Sequence, residues 1–334
     1  MKKFKVILPI VLALAALIAV FAVFATKDKP TPDPSDPSAV ATTPVPAEKV
    51  NVAVLKGPTG LGALQILDTP DEYNTQVLAA PTDIPPLLVT KKVDIAALPL
   101  NLAATLYNKN SDIVLLNVNT LGVLYLLEKG NTVQKIADLK GKTVYASGQG
   151  ATPEYVLNYL LEGAKLDPKK DVKIEWLADH QALSLQLISG KADIALLPEP
   201  NVTNVLRKNK DLRVALDLNK AWEEAAEGGK LAMGCVVARK DFVKNNPEAV
   251  EKFINDYTSS VHFVNGNPAP AALLAVKYKI VDDAAIAQAV IPNCQLVSIV
   301  GADAKKVAEE NFKVLFNANP ASVGGKLPGN DFYK

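Results

Sequence analysis

The side chains able to do chemistry in this chain gather where apolar, strand-like runs stop. Gly57-Pro58-Thr59-Gly60 follows one such run and Ser147-Gly148-Gln149-Gly150-Ala151-Thr152 another. His180 and Pro198-Glu199-Pro200-Asn201 follow two more. Glycines there let backbone approach a ligand closely and leave amides exposed. Catalytic chemistry finds little support in the same residues. Gly148-x-Gly150 is a fragment of a dinucleotide fingerprint, and no P-loop lysine follows either glycine loop, so nucleotide hydrolysis has no basis. The chain has two histidines, His180 and His262. No three or four side chains stand at zinc-binding spacing, so no metal and no cofactor is expected. Ser147 lies outside a G-x-S-x-G elbow, which removes the anchor of a serine hydrolase. Carboxylates are too numerous to select a pair. His180 either lines a crevice or caps a helix together with Asp179. Trp222 either stacks on a ligand or packs in a core.

The elements that must position these residues alternate. Val50–Leu55 reads as a strand, followed by a helix to about Leu67. Strands are expected at 73–80 and 94–98, with helices over 83–91 and 101–107. Two further β-prone runs cover 112–118 and 121–127. The rhythm then restarts with strands at 142–147, 172–177 and 192–197. Helices follow them from Pro153, over 180–188 and over 201–208, and a last strand covers 212–216. KVDIAALP (92–99) and KADIALLP (191–198) match at six of eight positions and fall at the same place in the two series. This rhythm predicts largely parallel sheets covered by helices. After a strand over 231–239 the chain turns helical. Val250, Phe253, Ile254, Tyr257, Val261 and Val264 form one amphipathic stripe, and further helices are expected over 268–278, 282–290 and 303–317. Two crossings, near 119–141 and 228–240, would join two lobes: 49–138 with 235–334, and 139–234.

In open α/β sheets, ligands bind outside the carboxyl ends of the strands, where helix N-termini present unpaired N–H groups. Each copy of the repeated phrase ends in proline just before a helix. Pro99-Leu100-Asn101 and Pro198-Glu199-Pro200-Asn201 would then oppose each other across one crevice, with Asn101 and Asn201 as helix caps. A plain strand exit with no ligand role is the alternative.

The ends and composition set the compartment. Lys2, Lys3 and Lys5 precede 20 apolar residues, Val6–Ala25, long enough to span a bilayer. Residues 1–25 are therefore a cleaved export signal or a retained membrane anchor, and the charge bias places the rest outside the cytoplasm. Residues 26–48, rich in Pro, Thr, Ser and Asp, read as a disordered tether. The formal charge is +1 with no basic block, which argues against a nucleic-acid partner. Cys235 and Cys294, an even pair in an oxidising compartment, predict a disulfide, with two buried free thiols as the alternative.

LKGPTGLGALQIL (55–67), KKVDIAALPLNLAATL (91–106), LGVLYLL (121–127), IADLKGKTVYASGQGATPEYVLNYLL (136–161), SGKADIALLPEPNVTNVL (189–206) and SVGGKLPGNDFY (322–333) occur in an informative order. In that order the chain resembles the substrate-binding proteins of ABC transporters, in the nitrate/sulfonate/taurine/thiamine-precursor-like group. The resemblance runs from about residue 50 to the end. It implies an α/β, two-lobed, type II periplasmic-binding-protein fold, with a mostly parallel sheet in each lobe and a ligand cleft between them. It also implies a monomer that is not an enzyme and that hands a small solute to an ABC permease. By that likeness the solute would meet Thr59, Gly60, Pro99, Leu100, Asn101, Gln149, Gly150, Ala151, Thr152, Pro198, Glu199 and Asn201; Asn119, Thr120 and His180 are further candidates beside these exits. Two departures stand out: there is no cysteine for a lipid anchor after the leader, and no arginine at any of these exits. Glu199 instead suggests an amine or a heterocyclic donor. An enzyme on the same scaffold, or a surface sensor domain, is the rival reading.

Overall fold

The computed structural model describes residues 49–109 and 112–334. The expected leader and tether, residues 1–48, lie outside them. Two sheets organise the described chain. The first has the strand order β11-β4-β10-β3-β1-β2, from β1 (Val50–Leu55), β2 (Tyr73–Leu78), β3 (Ile95–Pro99), β4 (Ile113–Leu121), β10 (Ala232–Arg239) and β11 (Leu296–Val300). The second has the order β7-β6-β8-β5-β9, from β5 (Leu124–Lys129), β6 (Thr143–Ser147), β7 (Lys173–Leu177), β8 (Ile194–Pro198) and β9 (Leu212–Asp217).

Both sheets are mixed rather than mostly parallel. β1 pairs parallel with β2 and β3, and β6 with β7 and β8, as the βαβ rhythm requires. β10 and β5 run antiparallel to their neighbours. The reason lies in the crossings. β4 leads into β5 through Gly122 and Val123 alone, so β5 enters the second sheet at its carboxyl edge, with Leu124 opposite Pro198. β10 enters the first sheet the same way, with Gly234 opposite Pro99. A strand fed in at that edge must run against the strands that leave by it. The sheets consequently change hands at 122–123 and 226–231, not at 138 and 234. β5 and the segment after it belong with the second sheet.

The repeated phrase lands as expected in sequence but not in environment. Ile95–Pro99 and Ile194–Pro198 are buried strands that lead to helices Leu100–Asn108 and Asn201–Lys208. Asp94 is 6% exposed, accepts from Asn51 N at 2.9 Å and pairs with Arg239 at 2.7 Å. Its counterpart Asp193 is exposed.

The stripe on helix Pro247–Gly266 is buried at Val250, Phe253, Ile254, Tyr257, Val261 and Val264 and packs on one face of the first sheet. Side chains of this size contribute roughly 2 kcal/mol each when fully buried. The helix expected to run to Leu67 is two short turns, Pro58–Leu61 and Leu64–Leu67. At the break, a Cβ on Gly62 would lie 2.5 Å from the Tyr257 hydroxyl. Strand β11 and helix Leu218–Ala225 were not anticipated, although Leu218, Ala221, Trp222 and Ala225 carry helical spacing after the capping Asp217. Trp222 is 1% exposed and belongs to the core of the second sheet, not to a ligand stack.

The expected disulfide is absent: Cys235 and Cys294 are both free and buried. Cys235 packs in the cluster with Val237 and Leu98, whereas Cys294 packs in the other cluster of the first sheet, with Leu296 and Ile291. Burial pushes both thiols up.

Candidate ligand site

The carboxyl edges of the two sheets meet at the first crossing. Thr120 and Pro99 both pair with Gly234 in the first sheet, and Pro198 pairs with Leu124 in the second. Glu199 N donates to Val123 O at 2.9 Å, tying the exit of β8 to the crossing itself. Gly122 has no room for a side chain, because a Cβ there would meet Leu231 of the second crossing at 2.8 Å.

On the first sheet, four expected residues come together. Asn119 Nδ2 donates to Tyr257 Oη at 3.0 Å, Thr120 Oγ1 donates to Asn119 Oδ1 at 3.1 Å, and Tyr257 Oη donates to Thr59 O at 3.4 Å. Gly60 sits one residue on, where a Cβ would collide with Leu55 O at 2.3 Å. Tyr257 and Gly234 complete the group and were not anticipated. Gly234 is required because a Cβ there would stand 2.5 Å from Asn119 Oδ1 and 2.9 Å from Thr59 Cγ2. Burial pushes the Tyr257 phenol up, so it stays a neutral donor.

The two Pro-Asn exits behave differently from expectation. Leu100 is 1% exposed and faces the core. Helix Leu100–Asn108 begins with Pro99 as its cap residue and helix Asn201–Lys208 with Pro200, and neither makes a side-chain cap bond. Asn101 and Asn201 fall inside the helices, two positions and one position past their cap residues, too late to cap. Glu199 takes the capping role instead: its carboxylate accepts from Thr203 N at 3.0 Å and from Thr203 Oγ1 at 2.8 Å. Burial raises its pKa, against those hydrogen bonds. A carboxylate held this way is a poor partner for an amine, so the amine suggestion loses its support.

In the second sheet, Ser147 Oγ lies 2.6 Å from His180 Nδ1. His180 opens helix His180–Ile188, while the cap bond belongs to Asp179, which accepts from Ala182 N at 2.7 Å. Burial pulls His180 below its ordinary pKa, against the charge of Asp179. Gly148 and Gly150 take positive φ values of 87° and 75°, turning β6 into helix Thr152–Gly163. The Gly150 amide is engaged by Glu154 Oε2 at 2.6 Å and its carbonyl by Tyr155 Oη at 2.9 Å. This loop therefore does not offer Gly150 to a phosphate. Gln149 lines an outer concavity of about 770 Å³ with Glu154, Asn158 and Trp176. Gly150 lines another, of about 700 Å³, beside Tyr155 and Asn319. Ala151 is exposed and Thr152 starts the helix. Among the described residues no group of His, Cys, Asp and Glu could hold a metal ion.

This architecture is shared with solved structures. One described as an ABC transporter from Parabacteroides distasonis superposes with a TM-score of 0.74 at 25% identity, covering 86% of this chain and 98% of that one. The periplasmic aliphatic sulphonate binding protein SsuA from Escherichia coli superposes with a TM-score of 0.66 at 16% identity, covering 85% and 97%. The fold is that of the periplasmic binding proteins. The family described as NMT1/THI5 like matches residues 76–271, and the chain belongs to it. A curated relative, "Putative binding protein YtlA" of Bacillus subtilis (strain 168), is 25% identical over 139 residues. That alignment spans 42% of this chain and 40% of the relative.

Proposed function

We propose that the protein is the extracytoplasmic solute-binding component of an ABC importer, without enzymatic activity. Two lobes, 49–121 with 232–334 and 124–225, close on a small solute and present it to the membrane permease. The observation that carries this reading is the meeting of both carboxyl edges at Gly122-Val123. In this reading helix starts from the two sheets face one crevice, and the short crossings between them act as the hinge. The relatives named for ABC transport and solute binding support the same reading. The Lys-rich, apolar leader supports export, with the N-terminal segment as signal or anchor and the body as a monomer.

Binding to the folded state raises stability by mass action. Protein denatured and refolded to strip carried-over ligand should therefore show a melting shift of several degrees with a saturating true solute. The screen should span nitrogenous heterocycles, amines, sulfonates and oxyanions. A broad library that leaves the melt unmoved, together with consumption of a metabolite on incubation, would reject the reading in favour of an enzyme.

A further inference from the structure

The two lobes are joined differently on the two flanks of the crossings. On one flank, helix Thr152–Gly163 of the second lobe lies against helix Gly301–Ala318 of the first. Val156, Leu157, Leu160 and Leu161 belong to the core of the second sheet. Tyr155, 7% exposed, belongs instead to a core cluster of the first sheet that includes Phe312 and Leu315. In return, Val314 packs against the core of the second sheet. Each helix thus puts one side chain into the other lobe. On the other flank the cores stay separate. The cluster around Leu197 and Val205 holds only second-lobe residues, and the one around Val290 and Ile291 only first-lobe residues. There Tyr125 and Arg207 reach across to the main-chain carbonyls of Asn293 and Ala285.

A chain of hydrogen bonds runs along the first flank. Asn319 Oδ1 accepts from Ala321 N, which leaves its Nδ2 to donate to Tyr155 Oη at 3.0 Å. Tyr155 Oη donates in turn to Gly150 O at 2.9 Å. An exit loop of the second lobe is therefore held from the first. Asn311, 1% exposed, ties the second crossing to the same helix: its Nδ2 donates to Lys230 O at 2.7 Å and its Oδ1 accepts from Ala232 N at 3.0 Å. Parting this flank would withdraw a ring from a packed core, which does not stretch. Parting the other exchanges hydrogen bonds to protein for hydrogen bonds to water, at small net cost.

We propose that the contact between helices Thr152–Gly163 and Gly301–Ala318 is a fixed pivot, and that Tyr155 is a positioning residue that holds the exit loop Gly148–Ala151 to the first lobe while the crevice opens along the flank of Tyr125 and Arg207. This rests on the two-lobe closure described above, and its test needs no solute.

Nitroxide pairs on refolded, ligand-stripped protein report the two flanks by pulsed dipolar distances. Cys235 and Cys294 are buried, so the labels go to introduced thiols. Lys169→Cys with Asn317→Cys spans the pivot, and Lys208→Cys with Gln288→Cys spans the other flank; all four positions are exposed. Adding Tyr125→Phe and Arg207→Ala should lengthen the second distance by several ångströms and leave the first unchanged. Lengthening of both alike, of the first alone or of neither overturns the pivot. Tyr155→Phe keeps the ring in its core and removes the bond to Gly150. The 15N order parameters of Gly148, Gly150 and Ala151 should then fall from about 0.85 to below about 0.6, while those of helix Thr152–Gly163 stay high. A loop as rigid as in the parent overturns the positioning role. Failure of either measurement leaves solute binding standing, and a failed solute screen leaves both measurements standing.

Discussion

The Tyr125 phenol, on a central strand of the second sheet, donates to the main-chain carbonyl of Asn293, just before β11 of the first, at 3.1 Å. Arg207 repeats the relationship farther out, donating to Ala285 O at 3.2 Å. The first bond reaches from the second sheet to the segment between helix Ala284–Val290 and β11, and the second to the first turn of that helix. Tyr125→Phe removes one of them without opening a cavity and should cost about 1 kcal/mol of stability. The ligand-free variant should also scatter X-rays with a larger radius of gyration. An unchanged radius would show that this bond does not hold the two sides together.

Glu128 is 1% exposed and accepts from Thr132 N at 2.7 Å and from Arg213 Nη2 at 2.6 Å. Burial pushes its pKa up, but hydrogen bonds from Thr132, Val133 and Arg213 outweigh it and leave it below 4.5. A lowered native pKa gives stability that is complete above the unfolded value and lost as pH falls through the native one. Glu128→Gln should therefore destabilise by about 1–2 kcal/mol at neutral pH, since it removes the charge from hydrogen bonds that Thr132 and Arg213 make to it. The gap between variant and parent should close as the pH drops below 4.5. Urea melts of both proteins across that range provide the check.

Gly234→Ala should disturb the candidate site more than its size suggests. The new methyl would press on Asn119 Oδ1 and Thr59 Cγ2, inside a network that cannot widen without breaking the Tyr257 bond. Overpacking of this kind costs about 1–3 kcal/mol. Solute affinity, measured by calorimetry at a temperature where the variant is folded, should fall in addition. Retained affinity would place the solute away from this group.

Cys235 and Cys294 should both react with a thiol reagent after denaturation without reductant, and scarcely at all in the native protein. Burial raises both thiols, so little thiolate exists to react. Recovery of no free thiol from denatured protein would restore the disulfide.

Much of the fold was legible because local pattern and burial coincide. Helices His180–Ile188 and Asn201–Lys208 fall where their spacing predicted, and the stripe from Val250 to Val264 is buried as a unit. β11 and helix Leu218–Ala225 were not, because each is short and takes its burial from partners distant in sequence. Of the expected site residues, Thr59, Gly60, Asn119 and Thr120 gather around Tyr257, and His180 meets Ser147. Leu100 turns into the core and Glu199 is absorbed as a cap. Tyr257 and Gly234 could not be found from the chain alone: one reads as part of an amphipathic stripe, the other as a glycine within a strand.

The sequence by itself determined the two βαβ series, the paired phrases KVDIAALP and KADIALLP, and the polar, glycine-rich strand exits, because hydrophobic period and turn chemistry are local properties. Tertiary structure alone decided which way β5 and β10 run, where the chain changes sheets, and which exit groups remain available. Those outcomes depend on the edge at which a strand enters its sheet and on which buried polar atoms find partners. Asp94 and Asp193 carry the difference: the same residue in the same phrase is locked to Arg239 in one sheet and exposed in the other.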